Sequence, residues 1–182
     1  LTYELDTIGY NGFDGTLPGA FTAHPRYDAA TGELHAVCYA YPDQLDRVQH
    51  VVVGRDGRVA KVTDVPLTGM PMVHDMSLTS RYVLVYDLPV CLDIEAAMTD
   101  SPFPFAWNPD HPARVGLLPR DGTADDIVWC VAPQCYVFHS VNAYDADDGT
   151  VLVDLCRYDR MFDGDRNGPI GDSAPTIVRW VV

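Results

Sequence analysis

Residues 136–158 read YVFHSVNAYDADDGTVLVDLCRY and contain two apolar runs separated by a polar turn. The runs at residues 136–141 and 151–158 are rich in valine, leucine and tyrosine, which favour strands. The turn at residues 145–149 contains an Asp–Gly pair, and loops of about three to five residues with a glycine commonly join antiparallel strands. This segment therefore predicts a β-hairpin.

The same pattern of apolar runs and glycine turns extends toward both ends of the chain. A second hairpin is predicted across residues 55–57, which read Arg-Asp-Gly. Further strands are predicted at residues 34–41, 49–53, 59–62, 82–86, 127–131 and 176–182. Only residues 94–98 look helical. The sequence thus predicts an all-β fold with antiparallel strands and almost no helix, which is typical of a sandwich, a barrel or a propeller.

No linker, charge block or low-complexity tract divides the chain, so residues 1–182 are expected to form a single domain. A propeller blade takes about 40–50 residues, so this length would supply roughly four blades of a partial β-propeller. The chain begins with Leu1 rather than Met. This start suggests a recombinant expression product, a processed product or an internal piece of a longer protein.

Composition excludes some classes of partner. The chain has 12 basic and 26 acidic residues, a net charge of -14, and 47% hydrophobic residues. This balance predicts a folded protein and disfavours nucleic acid, whose phosphates it would repel. No apolar run approaches the ~20 residues of a membrane-spanning helix. The five cysteines form no CxxC pair, which indicates reduced thiols in a cytoplasmic protein.

Three histidines have surroundings that suit metal ligands, because neutral imidazole binds iron, zinc and copper. Pro25 confines the backbone of His24 to extended geometry. His74 lies in a loop ahead of an apolar strand, and His139 lies within a predicted strand, on one face with Val137 and Val141. The three are separated by 50 and 65 residues. Local spacing therefore leaves open a turn histidine at His24 and a hydrogen-bonded core histidine at His139.

The remaining polar candidates are expected to be structural. His35 and His50 lie in strand runs and His111 in a polar loop. Asp75 could orient a neighbouring group, but a structural, capping or turn role is expected, because on extended backbone its side chain points away from that of His74. The apolar loop at residues 101–107, SPFPFAW, could line a hydrophobic entrance, contact a membrane surface or pack over a sheet edge. Nucleotide-binding, zinc-protease and serine-hydrolase motifs are absent from the sequence.

Four segments taken together resemble the carotenoid cleavage oxygenase family, which includes the bacterial lignostilbene dioxygenases. They are FTAHP at 21–25 with TGEL at 31–34, VHDM at 73–76 with the run at 82–89, GLLPR at 116–120, and YVFH at 136–139 with NAYD at 142–145. The resemblance implies a seven-bladed β-propeller that holds a non-haem ferrous iron on four histidines. His24, His74 and His139 match the first three ligands.

The resemblance also implies that the chain is the middle portion of a longer enzyme. No histidine follows Thr150, where the fourth ligand would be expected, and the glutamates that accept imidazole N–H groups in the family have no matching positions. The implied reaction is cleavage of a conjugated carbon–carbon double bond by O2 to give two carbonyl products. No residue is expected to act beyond the metal ligands, and these 182 residues alone are expected to bind iron weakly and turn over little substrate.

Several questions stay open at this point. Carotenoids, apocarotenoids and stilbenes all fit the resemblance as small apolar substrates, and the oligomeric state is undetermined. The alternatives are a non-catalytic β-rich binding module with structural histidines, and a zinc protein that combines the same histidines with a carboxylate. The first alternative requires that the three imidazoles do not converge.

Overall fold

The computed structural model describes residues 1–40, 43–99, 101–164, 166 and 172–182. Short strands dominate these residues. The strands are β1 (Arg26–Asp28), β2 (Glu33–Cys38), β3 (Arg47–Val53), β4 (Val59–Pro66), β5 (Met76–Leu78), β6 (Tyr82–Asp87), β7 (Val90–Leu92), β8 (Phe105–Trp107), β9 (Arg114–Pro119), β10 (Val128–Val131), β11 (Tyr136–Asp145), β12 (Val151–Tyr158) and β13 (Thr176–Val181). The described helices are α1 (Ile94–Met98) and a 3₁₀ turn (Ala124–Asp126).

The strands form four antiparallel sheets within the described residues. Their orders are β1-β2-β3-β4, β10-β9-β6-β5, β11-β12-β13 and β7-β8. Both predicted hairpins are present, since β3 pairs with β4 around the turn at 55–57 and β11 pairs with β12 from Asp145 opposite Val151. The prediction of an all-β, antiparallel fold with almost no helix is confirmed. The assignment of residues 1–182 to one partial propeller domain stays a prediction.

The predicted strands are all present, with end shifts of a few residues. The run predicted at 34–41 is strand only to Cys38, and Tyr41 lies outside the described residues. Five strands were not predicted: β1, β5, β7, β8 and β9. Four of these have three residues each, too few to show a two-residue period. The prediction of a loop over 101–107 was wrong in part, because Phe105–Trp107 pairs with Val90–Leu92.

Buried side chains fix the segments around two of the candidate histidines. Met76, two residues after His74, is buried in one apolar cluster, and Met72 is buried in another together with Tyr136. The hydroxyl of Tyr136 donates a hydrogen bond of 2.6 Å to the carbonyl oxygen of Met72. The loop that carries His74 is therefore attached to β11, the strand that carries His139.

A helix with the length and apolar surface needed to span a lipid bilayer is not found among the described residues. The cysteines are free thiols, and Cys38, Cys91 and Cys135 are buried. Phe103 and Phe105 are partly buried against the larger apolar cluster, and Trp107 is buried within it. This packing favours the sheet-covering interpretation of residues 101–107, and contact with a membrane stays a prediction.

Candidate metal centre

The three candidate histidines converge from three different sheets. His24 lies just before β1, His74 just before β5, and His139 within β11. One ring nitrogen from each can be chosen so that all three lie within 4.8 Å of one another. The Nε2 atoms of His24 and His74 are 2.9 Å apart, and the three ring centroids are separated by 4.6, 4.9 and 5.1 Å.

The separation of the His24 and His74 nitrogens fits a shared cation. Two imidazole nitrogens that each lie about 2.1 Å from a metal are about 3 Å apart when they bind at right angles and about 4.2 Å apart when they bind on opposite sides. The distance of 2.9 Å between His24 and His74 matches the first arrangement. A binding module with structural histidines would require that the three imidazoles do not converge. The structure does not meet this requirement. That the three rings bind a metal stays a prediction.

The electrostatics of the cluster favour neutral rings. Burial, together with the neighbouring rings of His24 and His139, lowers the pKa of His74 to about 4. Burial and the proximity of His24 also lower the pKa of His139. Since only a deprotonated imidazole nitrogen can donate an electron pair to a metal, these shifts keep both rings in the form that binds at neutral pH.

Aromatic and backbone contacts orient the rings. Phe138 stacks on His74 with centroids 4.0 Å apart and planes 10° apart. The backbone N–H of His24 donates to Thr22 Oγ1 at 3.2 Å, and Pro25 restricts the same residue from the other side. Sequence reasoning did not identify Phe138, because its contact with His74 joins two sheets.

His139 differs in one respect from the prediction. It was expected between two valines on one strand face, but Val137 is buried whereas His139 and Val141 are exposed. The register of β11 on β12 shifts between Val137 and His139 and again between Ser140 and Asn142. These irregularities interrupt the alternation of faces, and they release the His139 ring from the core.

Asp75 joins distant segments of the chain rather than serving a turn or a cap. It is 4% exposed, and its carboxylate accepts hydrogen bonds from Arg26 and Ser140. Neither partner was predicted, because both are distant from Asp75 in the sequence. The candidate ligand group found among the described residues contains histidines only, so it offers no carboxylate for the zinc alternative.

The other three histidines lie outside the cluster and are buried, and that they are structural stays a prediction. His35 Nδ1 is 3.0 Å from His50 Nε2 in the interior of the first sheet, and burial lowers the pKa of His50 to about 3. His111 Nε2 is 2.6 Å from Asp87 Oδ1. His111 was expected in a polar loop, but it is 4% exposed and lies against the buried carboxylate of Asp87.

A cavity of about 260 Å³ adjoins the cluster at His74. Its wall presents both polar and apolar surface and is formed by Phe21, Thr22, Ala23, Val37, Cys38, Tyr39 and His74. A larger cavity of about 600 Å³ lies elsewhere, with Lys61, Arg120 and Glu33 in its wall and none of the three histidines. A small molecule bound in the cavity at His74 would therefore lie beside the cluster.

Comparisons with known proteins agree on one family. Residues 2–181 match the family model described as retinal pigment epithelial membrane protein, RPE65. A protein of Mycobacterium tuberculosis named carotenoid cleavage oxygenase is 41% identical over 223 residues, which cover 100% of this chain and 44% of that protein. A resveratrol cleavage oxygenase 1 of Aspergillus fumigatus is 32% identical, over 83% of this chain and 31% of that protein.

A solved structure shows the same fold. The lignostilbene dioxygenase of Pseudomonas brassicacearum superposes with a TM-score of 0.83 at 33% identity, over 98% of this chain and 38% of that one. The chain therefore spans less than half the length of the relatives it matches. The propeller fold is that of these relatives, whereas the number of blades stays a prediction.

Proposed function

Because this chain belongs to the carotenoid oxygenase family, we propose that His24, His74 and His139 hold a ferrous ion in a dioxygenase that cleaves a conjugated carbon–carbon double bond. The observation that carries the proposal is the convergence of three imidazoles from three sheets to within 4.8 Å. Relatives named for carotenoid cleavage and for lignostilbene cleavage support the reaction class. The substrate would be an apolar conjugated alkene: a carotenoid, an apocarotenoid or a stilbene.

The reaction needs no proton from the protein. One C=C bond and the O–O bond break, two C=O bonds form, and both oxygen atoms of O2 enter the products, so atoms and electrons balance without a further reductant. Ferrous iron supplies the dioxygen chemistry that ordinary side chains lack. The lowered pKa of His74 accords with a ring that stays neutral as a ligand and moves no proton.

The chain's own residues would position and shield the reaction. His24, His74 and His139 bring no negative charge to the ion, and this leaves its full charge available to an electron-rich alkene. Phe21, Val37 and Tyr39 line the cavity next to His74. The apolar parts of these side chains would contact a polyene or a stilbene placed in this cavity.

We also propose a cytoplasmic location. The five cysteines are free thiols, and reduced thiols persist in the cytoplasm. Of these, Cys38 lies in the wall of the cavity next to His74. A test is secretion of the protein through an oxidising compartment, where we expect mispaired cysteines and a lower yield of folded chain.

The metal proposal is tested by anaerobic reconstitution with ferrous iron and elemental analysis. The wild-type chain and the variants H24A, H74A and H139A are compared with H111Q, a matched control. His111 is a buried histidine outside the cluster, and a glutamine amide can still bond to Asp87, which His111 meets at 2.6 Å. Because the 182 residues alone are expected to bind iron weakly, ferrous iron is added in large excess. Under that condition we expect about one iron per chain in the wild type and in H111Q, and loss of iron in the three alanine variants. Equal iron content in all five proteins would reject the site.

The reaction is tested by oxygen uptake with a carotenoid and with a stilbene under ¹⁸O2. Cleavage by a dioxygenase places one labelled oxygen in each of two carbonyl products. Zinc rather than iron in the protein as isolated, together with no oxygen uptake, would favour the zinc alternative.

A further inference from the structure

Three residues next to the candidate ligands form one hydrogen-bonded network. Arg26 lies two residues after His24, Asp75 follows His74, and Ser140 follows His139. Strand pairing does not fix the contacts among these three residues, because β1, β5 and β11 belong to three different sheets. The network therefore joins the three backbone segments that carry the histidines.

The carboxylate of Asp75 is the centre of this network. Arg26 Nη2 donates to both of its oxygens, at 2.8 Å to Oδ1 and 2.7 Å to Oδ2. The side chain of Asp75 is 1% exposed and that of Arg26 is 35% exposed. A carboxylate so deeply buried must be compensated by charge and hydrogen bonds, and the guanidinium provides both.

Ser140 completes the network from the side of His139. Its backbone N–H donates to Asp75 Oδ2 at 2.8 Å. Its hydroxyl donates a hydrogen bond of 2.9 Å to the carbonyl oxygen of Met76. The same hydroxyl accepts a hydrogen bond of 2.9 Å from Arg26. Arg26 Nε also donates to the carbonyl of Met76, at 3.2 Å. Each segment is therefore bonded to both of the others.

The histidines themselves have no comparable support. In the described part of the chain, the ring nitrogens of His24 and His74 bond to each other, and no carboxylate accepts a hydrogen bond from any of the three rings. Outer hydrogen bonds normally orient metal ligands, and ligands must be held to within about 0.5 Å. Here the hydrogen bonds hold the backbone segments next to the three histidines, and none of them joins a carboxylate to a ring.

We propose that Asp75 is a positioning residue that sets the spacing of the three imidazoles by binding Arg26 and Ser140. This inference rests on the proposed metal site. It predicts that loss of the Asp75 carboxylate weakens metal binding by more than the accompanying loss of stability explains.

A second buried ion pair provides a matched control. The side chain of Asp87 is 1% exposed, and its Oδ2 lies 2.7 Å from Nε of Arg114, which is 29% exposed. Asp87 and Arg114 face each other in the register of β6 and β9, so this pair lies within one sheet. D75N and D87N therefore remove similar buried charges, but only D75N removes a link between the histidine segments.

The test uses the full 182-residue chain with Co²⁺ as the probe, because its visible absorption reports the number and geometry of bound imidazoles. We expect D75N to bind Co²⁺ about 10-fold to 100-fold more weakly than the wild type, with an altered band. D87N is expected to lose comparable stability in urea and to keep its Co²⁺ affinity within about 2-fold. An unchanged Co²⁺ affinity in D75N would overturn the inference. So would a Co²⁺ affinity that, per folded molecule, falls as much in D87N as in D75N.

A milder pair of variants covers the case in which D75N does not fold. S140A removes the hydroxyl that meets Arg26 and Met76, whereas S140T keeps it. We expect S140A to weaken Co²⁺ binding and S140T to restore it, and equal affinities in the two would count against the positioning role. If wild-type Co²⁺ binding survives in H74A, the metal site itself is rejected. If H74A abolishes binding and D75N does not, only the role of Asp75 is rejected.

Discussion

The ring of Phe138 lies parallel to the imidazole of His74, with centroids 4.0 Å apart and planes 10° apart. Phe138 is the residue before His139 in β11, and its ring also meets the His139 ring edge-on at 4.7 Å. The strand that carries one candidate ligand thus orients the ring of another. The register shift between Val137 and His139 allows this, because a bulge turns a side chain away from its regular direction.

We expect F138L to weaken Co²⁺ binding several-fold with a stability loss of about 1 kcal/mol, because leucine fills space but does not hold the His74 ring flat. F103L is the control. Phe103 is also partly buried and packs on Phe105 and Phe162, away from the histidines. Co²⁺ titration and urea unfolding measure the two effects. Equal Co²⁺ affinity in F138L and F103L would show that the stack does not orient His74.

Local sequence signals explain which parts of the fold could be predicted. The β11–β12 hairpin was predicted correctly because the Asp–Gly turn and its flanking runs lie within 23 consecutive residues. The strands β5 and β7 were missed because their pairing depends on partners that short segments do not reveal. Asp148 and Gly149 act within the turn itself, whereas Met76–Leu78 becomes a strand only because β6 lies beside it.

The residues of the candidate site, like the strands, could be predicted only where the signal is local in the sequence. His24, His74 and His139 were identified from the motifs around them, which lie in sequence next to each histidine. Arg26 and Ser140 were not identified, since their contacts with Asp75 span 49 and 65 residues. Nothing in a single sequence shows that these segments meet. The bulges in β11 were missed for a similar reason, because a strand's register depends on its partner.

Acid should destabilise the protein through its buried histidines. Burial and the nearby His35 lower the pKa of His50 from its ordinary value of 6.5 to about 3. Below pH 6.5, His50 therefore binds a proton in the unfolded chain but not in the folded chain, so stability falls as pH decreases. This loss ends at about pH 3, where His50 is protonated in the folded chain too. For His50 alone this loss is about 2 kcal/mol between about pH 7 and pH 5.

The variant H50Q tests this contribution. Its urea midpoint is expected to change less between about pH 7 and pH 5 than that of the wild type, because one titrating group is gone. Asp28 does not interfere in this window. The hydrogen bond from Arg120 lowers the pKa of Asp28 to about 2, so its contribution is lost only as pH falls from about 4 toward 2. Parallel pH curves for the wild type and H50Q would contradict the assignment to His50.

The edge strand β13 should promote self-association. Ile177 is 76% exposed and Val181 is 67% exposed, and a strand edge with apolar side chains can pair with another chain. We expect I177K to reduce association at high concentration, as measured by light scattering. T176K is the control, because Thr176 is an exposed neighbour in the same strand and the added charge is identical. An equal effect of both variants would indicate that net charge alone controls association.

The glycine at position 69 should tolerate no side chain, because two constraints meet there. Its φ is +73°, and a Cβ would lie 2.8 Å from Nδ1 of His111, whose ring is held by Asp87 at 2.6 Å. Gly57 has a similar φ of +77° with open space around it. Both alanine variants incur a backbone strain of about 1–2 kcal/mol, and G69A adds about 1–3 kcal/mol because the His111 ring cannot move away freely. Urea unfolding should therefore rank the free energies as wild type, then G57A, then G69A; equal losses in G57A and G69A would mean that His111 moves aside without cost.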